Sequence, residues 1–343
     1  MKRVRDIGEF GLIERIARKL PRSERSIIGM GDDAAAVMVP TDNSVLVTTD
    51  MIVEDVHFTR KISTPQQVGW RCVAAGISDI AAMGGIPWWA LVSLAIPEDC
   101  DVAWVDGLYD GMIDMASRYS VEILGGDTSR SKDKIYIDAV TLGQAPIWSL
   151  ATRSLARPDE MVYVTGEPGR SAAGLEILTS RPSLAERFKP LVEAHLRPLP
   201  AVREAHFLAE TGPLGAMIDI SDGLMQDMRH ICRLSGVGAR IEADRLPICD
   251  TLRDYCDQVG KNQLDYVLAG GEDYDLIFTC EEDSAHKLEK LWAKRFGNRL
   301  RLTHIGTVTE PSHGLKLVDA HGKEVPFTGG HDHFLKKRGH RPG

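Results

Sequence analysis

Five apolar stretches in this chain each run into an acidic residue set among Gly, Ser or Thr: Val45 to Asp50, Ala75 to Asp79, Val121 to Asp127, Ala216 to Gly223 and Tyr266 to Asp273. A sixth site, GMGDDAA, opens the series with Asp32 and Asp33. A fold that gathers such carboxylates must also neutralise them. Two of them about 4 Å apart repel by roughly 4 kcal/mol at an effective dielectric near 20. Hard divalent cations held through oxygen are the usual remedy, and magnesium is commonly shared with substrate phosphates.

The length of 343 residues suggests about two domains on a prior of roughly 150 residues each. A net charge of −8 with no dominant basic patch argues against a nucleic-acid partner. It also sits awkwardly with phosphate ligands unless metal ions offset it. The segment MKRVRDIGEFGLIERIARKL is charged throughout and lacks the apolar centre of a signal peptide. The longest apolar run, Ile86 to Pro97, is too short to span a bilayer. None of the six cysteines (Cys72, Cys100, Cys232, Cys249, Cys256, Cys280) forms Cys-x-x-Cys, so free thiols in a reducing compartment are expected. The expectation is a cytoplasmic protein with no membrane partner.

Apolar periodicity predicts helices over Phe10 to Leu20, Gln66 to Met83, Ser171 to Leu178, Ala201 to Glu210, Leu224 to Leu234 and Ser284 to Phe296, and another after a candidate cap at Asp101. Gly84, Gly85 and Pro87 end the second of these, and Gly236 the fifth. Strands are predicted at Val45 to Thr49 (buried), Ala90 to Ile96, Val121 to Leu124, Ile135 to Leu142 (half exposed), Met161 to Thr165, Ala216 to Ile220 and Leu276 to Thr279. The polar connection from Gln144 to Pro158 places a domain boundary near residue 149, giving units of 1–149 and 150–343. The mixed order of elements favours α+β in the first and α/β in the second.

No Walker A sequence and no kinase-type G-x-G-x-x-G loop is present, so any nucleotide phosphates must be held another way. Asp32 and Asp33 read either as a solvated turn or as ligands. Asp50 follows Thr48 and Thr49, which makes a hard-cation corner or a plain strand end. Asp79, inside an apolar helix, must face a polar cleft or pair with a base such as Arg71, two turns back. Gly125–Gly126–Asp127–Thr128 allows close backbone approach to a phosphate or metal, or makes a turn. Asp219, Ser221, Asp222 and Gly223 precede a helix whose free N–H groups attract phosphate, with Asp222 alternatively its cap. Gly270–Gly271–Glu272–Asp273 repeats that scheme. Arg153 reads as a phosphate clamp between the halves or as a surface arginine, and His57 as a substrate contact or a loop histidine. His331-Asp-His333 is a weak metal-like spacing near the tail.

GMGDDAA, TTDMIVEDVHF, SDIAAMGG, GGDTSR, MIDISDGL, GGEDYDL and the tail DHF, in that order from Glu9 to Phe334, resemble the thiamine-monophosphate kinase family. Its wider superfamily includes aminoimidazole ribonucleotide synthetase, selenophosphate synthetase and a hydrogenase-maturation enzyme, which use ATP without a P-loop. The resemblance implies a two-domain PurM-like fold, with an N-terminal α+β domain that pairs with its symmetry mate through a sheet and a C-terminal α/β domain. It implies that Asp33, Thr48, Thr49, Asp50, Asp79, Asp127, Asp219 and Asp222 hold several Mg²⁺ ions. It assigns Tyr109, Gly126, Asp127, Arg153 and Ser221 to ATP as co-substrate. His57, Glu272 and Phe327 go to thiamine monophosphate, and Asp50, Asp127, Arg153 and Asp219 to catalysis. The chain departs from the family at Thr328 and His331, where aromatics are common, at Gly76 in place of Asn and at Asp55 in place of Gly.

The implied reaction is direct phosphoryl transfer from ATP to thiamine monophosphate within a homodimer. The acceptor is a phosphate oxygen, already ionised near neutral pH, so positioning and charge neutralisation suffice. A related synthetase with another acceptor and a non-catalytic nucleotide-binding regulator are the competing readings. Selenophosphate chemistry is disfavoured because no cysteine precedes Asp33.

Overall fold

The computed structural model describes residues 42–212, 214–297 and 300–327, with short pieces (3–4, 6, 12, 15–16, 18–20, 26–28 and 36–37) of the first 41. Most of the helix expected over Phe10 to Leu20, the acidic pair Asp32–Asp33, and Thr328, His331 and His333 lie outside the described residues. Two short strands, β1 (Ser26–Ile28) and β2 (Ala36–Val37), pair antiparallel.

The first half is a four-stranded sheet built from β3 (Asn43–Val53), β4 (Ile86–Ile96), β5 (Glu122–Arg130) and β6 (Tyr136–Pro146), in the order β3-β6-β4-β5. The β3–β6 and β4–β6 ladders are antiparallel, and β4–β5 is parallel. Helix α1 (Pro65–Ala82) covers one face, and α2 (Val102–Arg118) packs on α1. A capping box starts α1. The Gln67 N–H donates to Thr64 Oγ1 and the Thr64 N–H to Gln67 Oε1, with Pro65 at the first helical position. The two helices cross closely because Gly69 and Gly111 lack side chains. A Cβ there would lie 2.0 Å from Leu108 O and 1.9 Å from Gln66 O respectively.

Three local expectations are revised. Val45 to Thr49 does form a strand, but β3 is an edge strand whose odd residues face outward, leaving Val45 and Val47 45% and 63% exposed. A β-branched run marks a strand without saying whether its second face is covered. Asp101 precedes α2 without capping it through its side chain, which pairs instead with Arg3 at 3.1 Å. Gly125–Gly126–Asp127 lies inside β5 rather than after it, since at Gly126 a Cβ would meet Val92 O at 1.8 Å and glycine lets the strand continue. The alternation expected over Ile135 to Leu142 is present in β6.

The second half is a six-stranded sheet of β7 (Met161–Thr165), β8 (Met217–Asp219), β9 (Gly238–Glu242), β10 (Leu276–Cys280), β11 (Leu302–Thr309) and β12 (Leu315–Val318), ordered β12-β9-β11-β7-β10-β8. Helices lie on both faces, as in α/β proteins, while every ladder except β12–β9 is antiparallel. Val162, Val164, Ile218 and Ile277 share a core with α3 (Arg170–Ser180), α4 (Lys189–Leu196), α6 (Leu224–Ser235), α7 (Asp250–Val259) and α8 (Gln263–Ala269). The opposite face, with Tyr163 stacked on Phe278 at 5.4 Å, packs with α5 (Val202–Thr211), α9 (Glu282–Phe296) and the first half in a second core. Helix α1 is the element common to both halves. Its Trp70 Nε1–H donates to Pro198 O at 2.7 Å. No described helix is long and apolar enough to cross a membrane.

Glu176 ties α3, α7 and α8 together, accepting from Tyr255 (2.9 Å), Tyr266 (2.8 Å) and Lys261 (2.6 Å). Burial pushes this carboxyl up, but the three hydrogen bonds overcome it and hold the pKa at about 2. Its stabilisation is therefore present above the ordinary carboxylate range and is lost as pH falls towards about 2. Glu176→Ala leaves two tyrosine hydroxyls without their acceptor and is expected to cost about 2–4 kcal/mol in urea unfolding at neutral pH. A cost under about 0.5 kcal/mol would contradict this role.

Candidate active site

The site forms where α1 passes between the two sheets. Asp50 sits on the inward face of β3, Ser78 and Asp79 near the end of α1, and Asp219 at the end of β8. Thr48 Oγ1–H donates to Asp79 Oδ2 at 2.5 Å, and Ser78 Oγ–H to Asp219 Oδ2 at 2.6 Å. Asp219 is 1% exposed. Asp50 Oδ2 and Asp219 Oδ1 are buried and accept no hydrogen bond. Burial first, then Asp79 and Asp219, push Asp50 up to about 7. Burial and then Asp79 likewise push Asp219 to about 7, against opposing pulls from Ser78 and Arg153. Carboxylates with buried, orphaned oxygens and no ion pair among the described residues are a hard-metal donor set, and the residues fit Mg²⁺. The structure thus brings Thr48, Asp50, Asp79 and Asp219 together. Asp79 does not pair with Arg71, which is committed elsewhere.

Other predicted residues lie apart from this cluster. Thr49, one residue from Thr48, points to the opposite face and donates to Asp138 Oδ1 at 2.8 Å. Exposed Asp127 stands in register with Ser93, which is in register with Asp138, so it belongs to that outer face. Gly126 lies across from Asp50 through Ala139 and Val92, three strand spacings or about 14 Å away. Tyr109 is 4% exposed in the core around α2. Phe327 is half-buried against the core of the second sheet.

The ISDG segment, Ile220 to Gly223, leads into α6, and Asp227 determines what its amides can do. Asp227 Oδ2 accepts from Ser221, Asp222 and Gly223 N–H, each at 3.1 Å. Three amides that could have met a phosphate are thus satisfied within the chain. Asp222 lies with Asp227 and His230 in a group whose ligand atoms fall within 4.8 Å of one another. Arg153 is anchored through its carbonyl, which accepts from Ser235 Oγ–H at 2.9 Å. It lines a cavity of about 410 Å³ together with Thr48, Asp79, Leu46, Met83 and Leu234.

The loop after α8 runs beside the ISDG segment, with Glu272 N–H donating to Ser221 O at 2.9 Å and Tyr274 N–H to Ile220 O at 3.0 Å. Glu272 adopts φ 61°, a left-handed conformation uncommon for a residue with a side chain. Its carboxylate receives Arg71 Nη2 at 2.6 and 2.8 Å. Asp273 turns the other way and accepts from Gly169 and Ser171 N–H at 2.6 and 3.0 Å, closing the start of α3. His57 Nδ1 accepts from Val53 N–H at 3.0 Å, and its carbonyl from Arg71 Nη2 at 3.1 Å. Arg71 and Asp79 are eight residues apart on α1, so the Arg71–Glu272 pair and the carboxylate cluster are spaced by about 12 Å along one helix.

Sequence reasoning missed Ser78, Asp138, Asp227 and His195. Ser78 neighbours Asp79, and Asp227 stands four residues after Gly223 in the first turn of a helix, so both carried a local signal. Asp138 and His195 carried none, because only the folded chain brings them near the site.

Two family models match, AIR synthase related protein N-terminal domain over residues 31–145 and C-terminal domain over residues 157–317. The chain is 38% identical to the thiamine-monophosphate kinase of Aquifex aeolicus over 90% of its length and 94% of the relative's. Among solved structures it is similar to a thiamine-monophosphate kinase from Stenotrophomonas maltophilia, with TM-score 0.79 and 31% identity over 93% of this chain and 98% of that one. It is also similar to AaThiL complexed with AMPPCP and TMP, with TM-score 0.73 and 36% identity over 95% and 98%. With its two-domain PurM-like fold, the chain belongs to the thiamine-monophosphate kinase family of AIR synthase related proteins.

Proposed function

We propose that this protein transfers the γ-phosphoryl group of ATP directly to thiamine monophosphate, giving thiamine diphosphate and ADP. The observation that carries the reading is the group of buried Asp219 with half-buried Asp50 and Asp79, with orphaned oxygens on Asp50 and Asp219, set two helical turns from the Arg71–Glu272 pair. Asp50, Asp79 and Asp219, with Thr48, would hold magnesium; Thr49 and Asp127 on the outer face of the first sheet, and Asp222 beside Asp227 and His230, are assigned to further metal ions. Asp33, which lies outside the described residues, belongs to the same proposed set. Bound magnesium supplies charge neutralisation between two polyanions. Arg153 contacts a nucleotide phosphate, and the cavity beside it, with Leu46, Met83 and Leu234 on its wall, receives the nucleoside. Gly126, Asp127 and Ser221 approach the phosphates, and Tyr109 supports that side from the core.

His57 and Glu272 orient the acceptor, and Phe327 packs on its ring. The acceptor oxygen is already anionic, so no general base is required, and no nucleophile is placed for a phosphoenzyme. Residues 1–149 and 150–343 serve as the two domains of each cleft. The exposed apolar side chains Val45, Val47, Met51 and Tyr136 on the outer face of the first sheet suit pairing with a second copy, and six free cysteines, five of them buried, suit the cytoplasm.

The test is an assay with ATP, Mg²⁺ and thiamine monophosphate. ADP and thiamine diphosphate are expected in equal amounts, with activity lost in EDTA. ADP without thiamine diphosphate would sink the acceptor, and retained activity in EDTA would sink the metal. Inversion at a chiral γ-phosphorus is expected, and retention would rule out direct transfer. A light-scattering mass of two chains is expected; a monomer would end the pairing.

A further inference from the structure

One guanidinium nitrogen contacts both residues assigned above to the acceptor. Arg71 Nη2, reaching from α1 in the first half, donates to the His57 carbonyl at 3.1 Å and to both Glu272 carboxylate oxygens at 2.6 and 2.8 Å. We propose that Arg71 is a positioning residue for the acceptor, setting the separation of the His57 loop from the Glu272 carboxylate across the two halves of the chain. The proposal rests on the reading that His57 and Glu272 receive thiamine monophosphate.

Three further observations support it. Arg71 is 5% exposed and its partner Glu272 half-buried, and an ion pair desolvated in this way is a poor route to stability, since apolar replacements of such pairs are often neutral or better. A pair that contributes little to stability but joins residues from the two halves of the chain fits a role in geometry. Second, Glu272 is held in a left-handed conformation that its neighbours must enforce, and strained backbone of this kind persists only where the surroundings over-determine it. Its backbone N–H is tied to Ser221 O and its side chain to Arg71, so both ends of the residue are fixed. Third, Arg71 Nε is buried without an acceptor. A buried donor left over beside the paired Nη2 is what a site awaiting an anion or its water would contain.

The other groups facing Glu272 do not replace Arg71. His195 Nδ1 lies 3.5 Å from Glu272 Oε2 and 3.1 Å from Ser171 Oγ. Burial, then the Arg71 charge, lower its pKa to about 4, so it is a neutral hydrogen-bonding group near neutral pH. Burial opposes the Glu272 charge, but Arg71 overcomes this and keeps its pKa below the ordinary range. The carboxylate therefore depends on Arg71 for its compensating charge.

Arg71→Met is expected to raise KM for thiamine monophosphate about 10- to 100-fold while KM for ATP stays within about twofold. Arg71→Lys, which keeps the charge but not the planar fork, should recover part of that loss. The double variant R71M/E272Q removes both charges and so avoids an unpaired, half-buried carboxylate. It should fold at least as well as R71M yet keep the raised KM. Equal rises in both KM values, or a wild-type acceptor KM in R71M or in the double variant, would overturn the proposal. A crystal structure of R71M or R71K gives a readout independent of substrate. The His57 carbonyl and Glu272 carboxylate are expected to separate, and an unchanged spacing would overturn the proposal. If the wild-type protein fails to phosphorylate thiamine monophosphate, the acceptor assignment fails, and that structural readout still decides whether Arg71 sets the geometry.

Discussion

Asp219→Asn is expected to lower turnover by about 10²–10³-fold while raising the melting temperature of the metal-free protein by several degrees at about pH 8. The two effects have one cause. Asp219 is buried beside Asp79, and its pKa stands at about 7 because burial and then the neighbouring charge oppose ionisation. Above that pH the folded protein without metal carries a carboxylate that the unfolded chain would accommodate more easily. Part of that opposition disappears with the charge, so a gain of about 2 kcal/mol is the expected scale. Asparagine keeps an acceptor for Ser78 Oγ–H and offers an N–H₂ to the remaining carboxylates. It removes the anionic oxygen that would hold magnesium. An Asp219→Asn variant that is both less stable and fully active would reverse each half of the argument.

Magnesium should stabilise the protein much more at about pH 8 than at about pH 5.5. The sign follows from the raised pKa values of Asp50 and Asp219, both about 7. A carboxylate whose folded pKa is raised binds more protons in the folded state between the unfolded value and the folded one. Its contribution therefore falls as pH rises through that window, from about 4 to about 7. At the acidic end Asp50 and Asp219 are protonated and the metal must displace protons. At the basic end the charges are present and the metal relieves their repulsion. Burial also raises Asp227, Asp273 and Asp275, to about 8, 6 and 7, so the melting profile alone mixes several sites. The difference with and without magnesium isolates the cluster, and Asp219→Asn should shrink it. Melting scans with and without millimolar Mg²⁺ check this. Equal magnesium shifts at both pH values would contradict the assignment.

Much of the cluster could be read from local sequence because each acidic residue is delivered by its own element. Asp50 follows an apolar run within its strand, Asp79 sits in a mostly apolar helix, and Asp219 ends a short buried strand. What the pattern could not supply is which face each residue uses. Thr48 and Thr49 are adjacent, and alternation sends one to the inner cluster and the other to Asp138 on the outer face. Asp127 belongs to that outer face too, which register across four strands decides and local sequence does not. Arg71 was visible as a candidate partner for Asp79 on helical spacing, but its partner is Glu272, 201 residues away. Asp273 looked like part of the site and proves to close a helix start, because its two amide donors come from a distant loop. Helices α4, α7 and α8 and strands β9, β11 and β12 fall outside the sequence expectations, although Leu252, Tyr255, Cys256 and Val259 in α7 do stand at helical spacing ahead of Gly260. They complete layers around a sheet whose other members had already been identified.

The central claim is that Asp50, Asp79 and Asp219 converge on bound divalent metal. The most direct test is an anomalous difference map from crystals grown with Mn²⁺ and a non-hydrolysable ATP analogue. Peaks are expected within direct coordination distance of the Asp50 and Asp219 oxygens that lack partners, and absent from the same map of Asp219→Asn. Metal found only on the outer face around Asp127 and Asp138, with the inner cluster protonated and empty, would contradict the account.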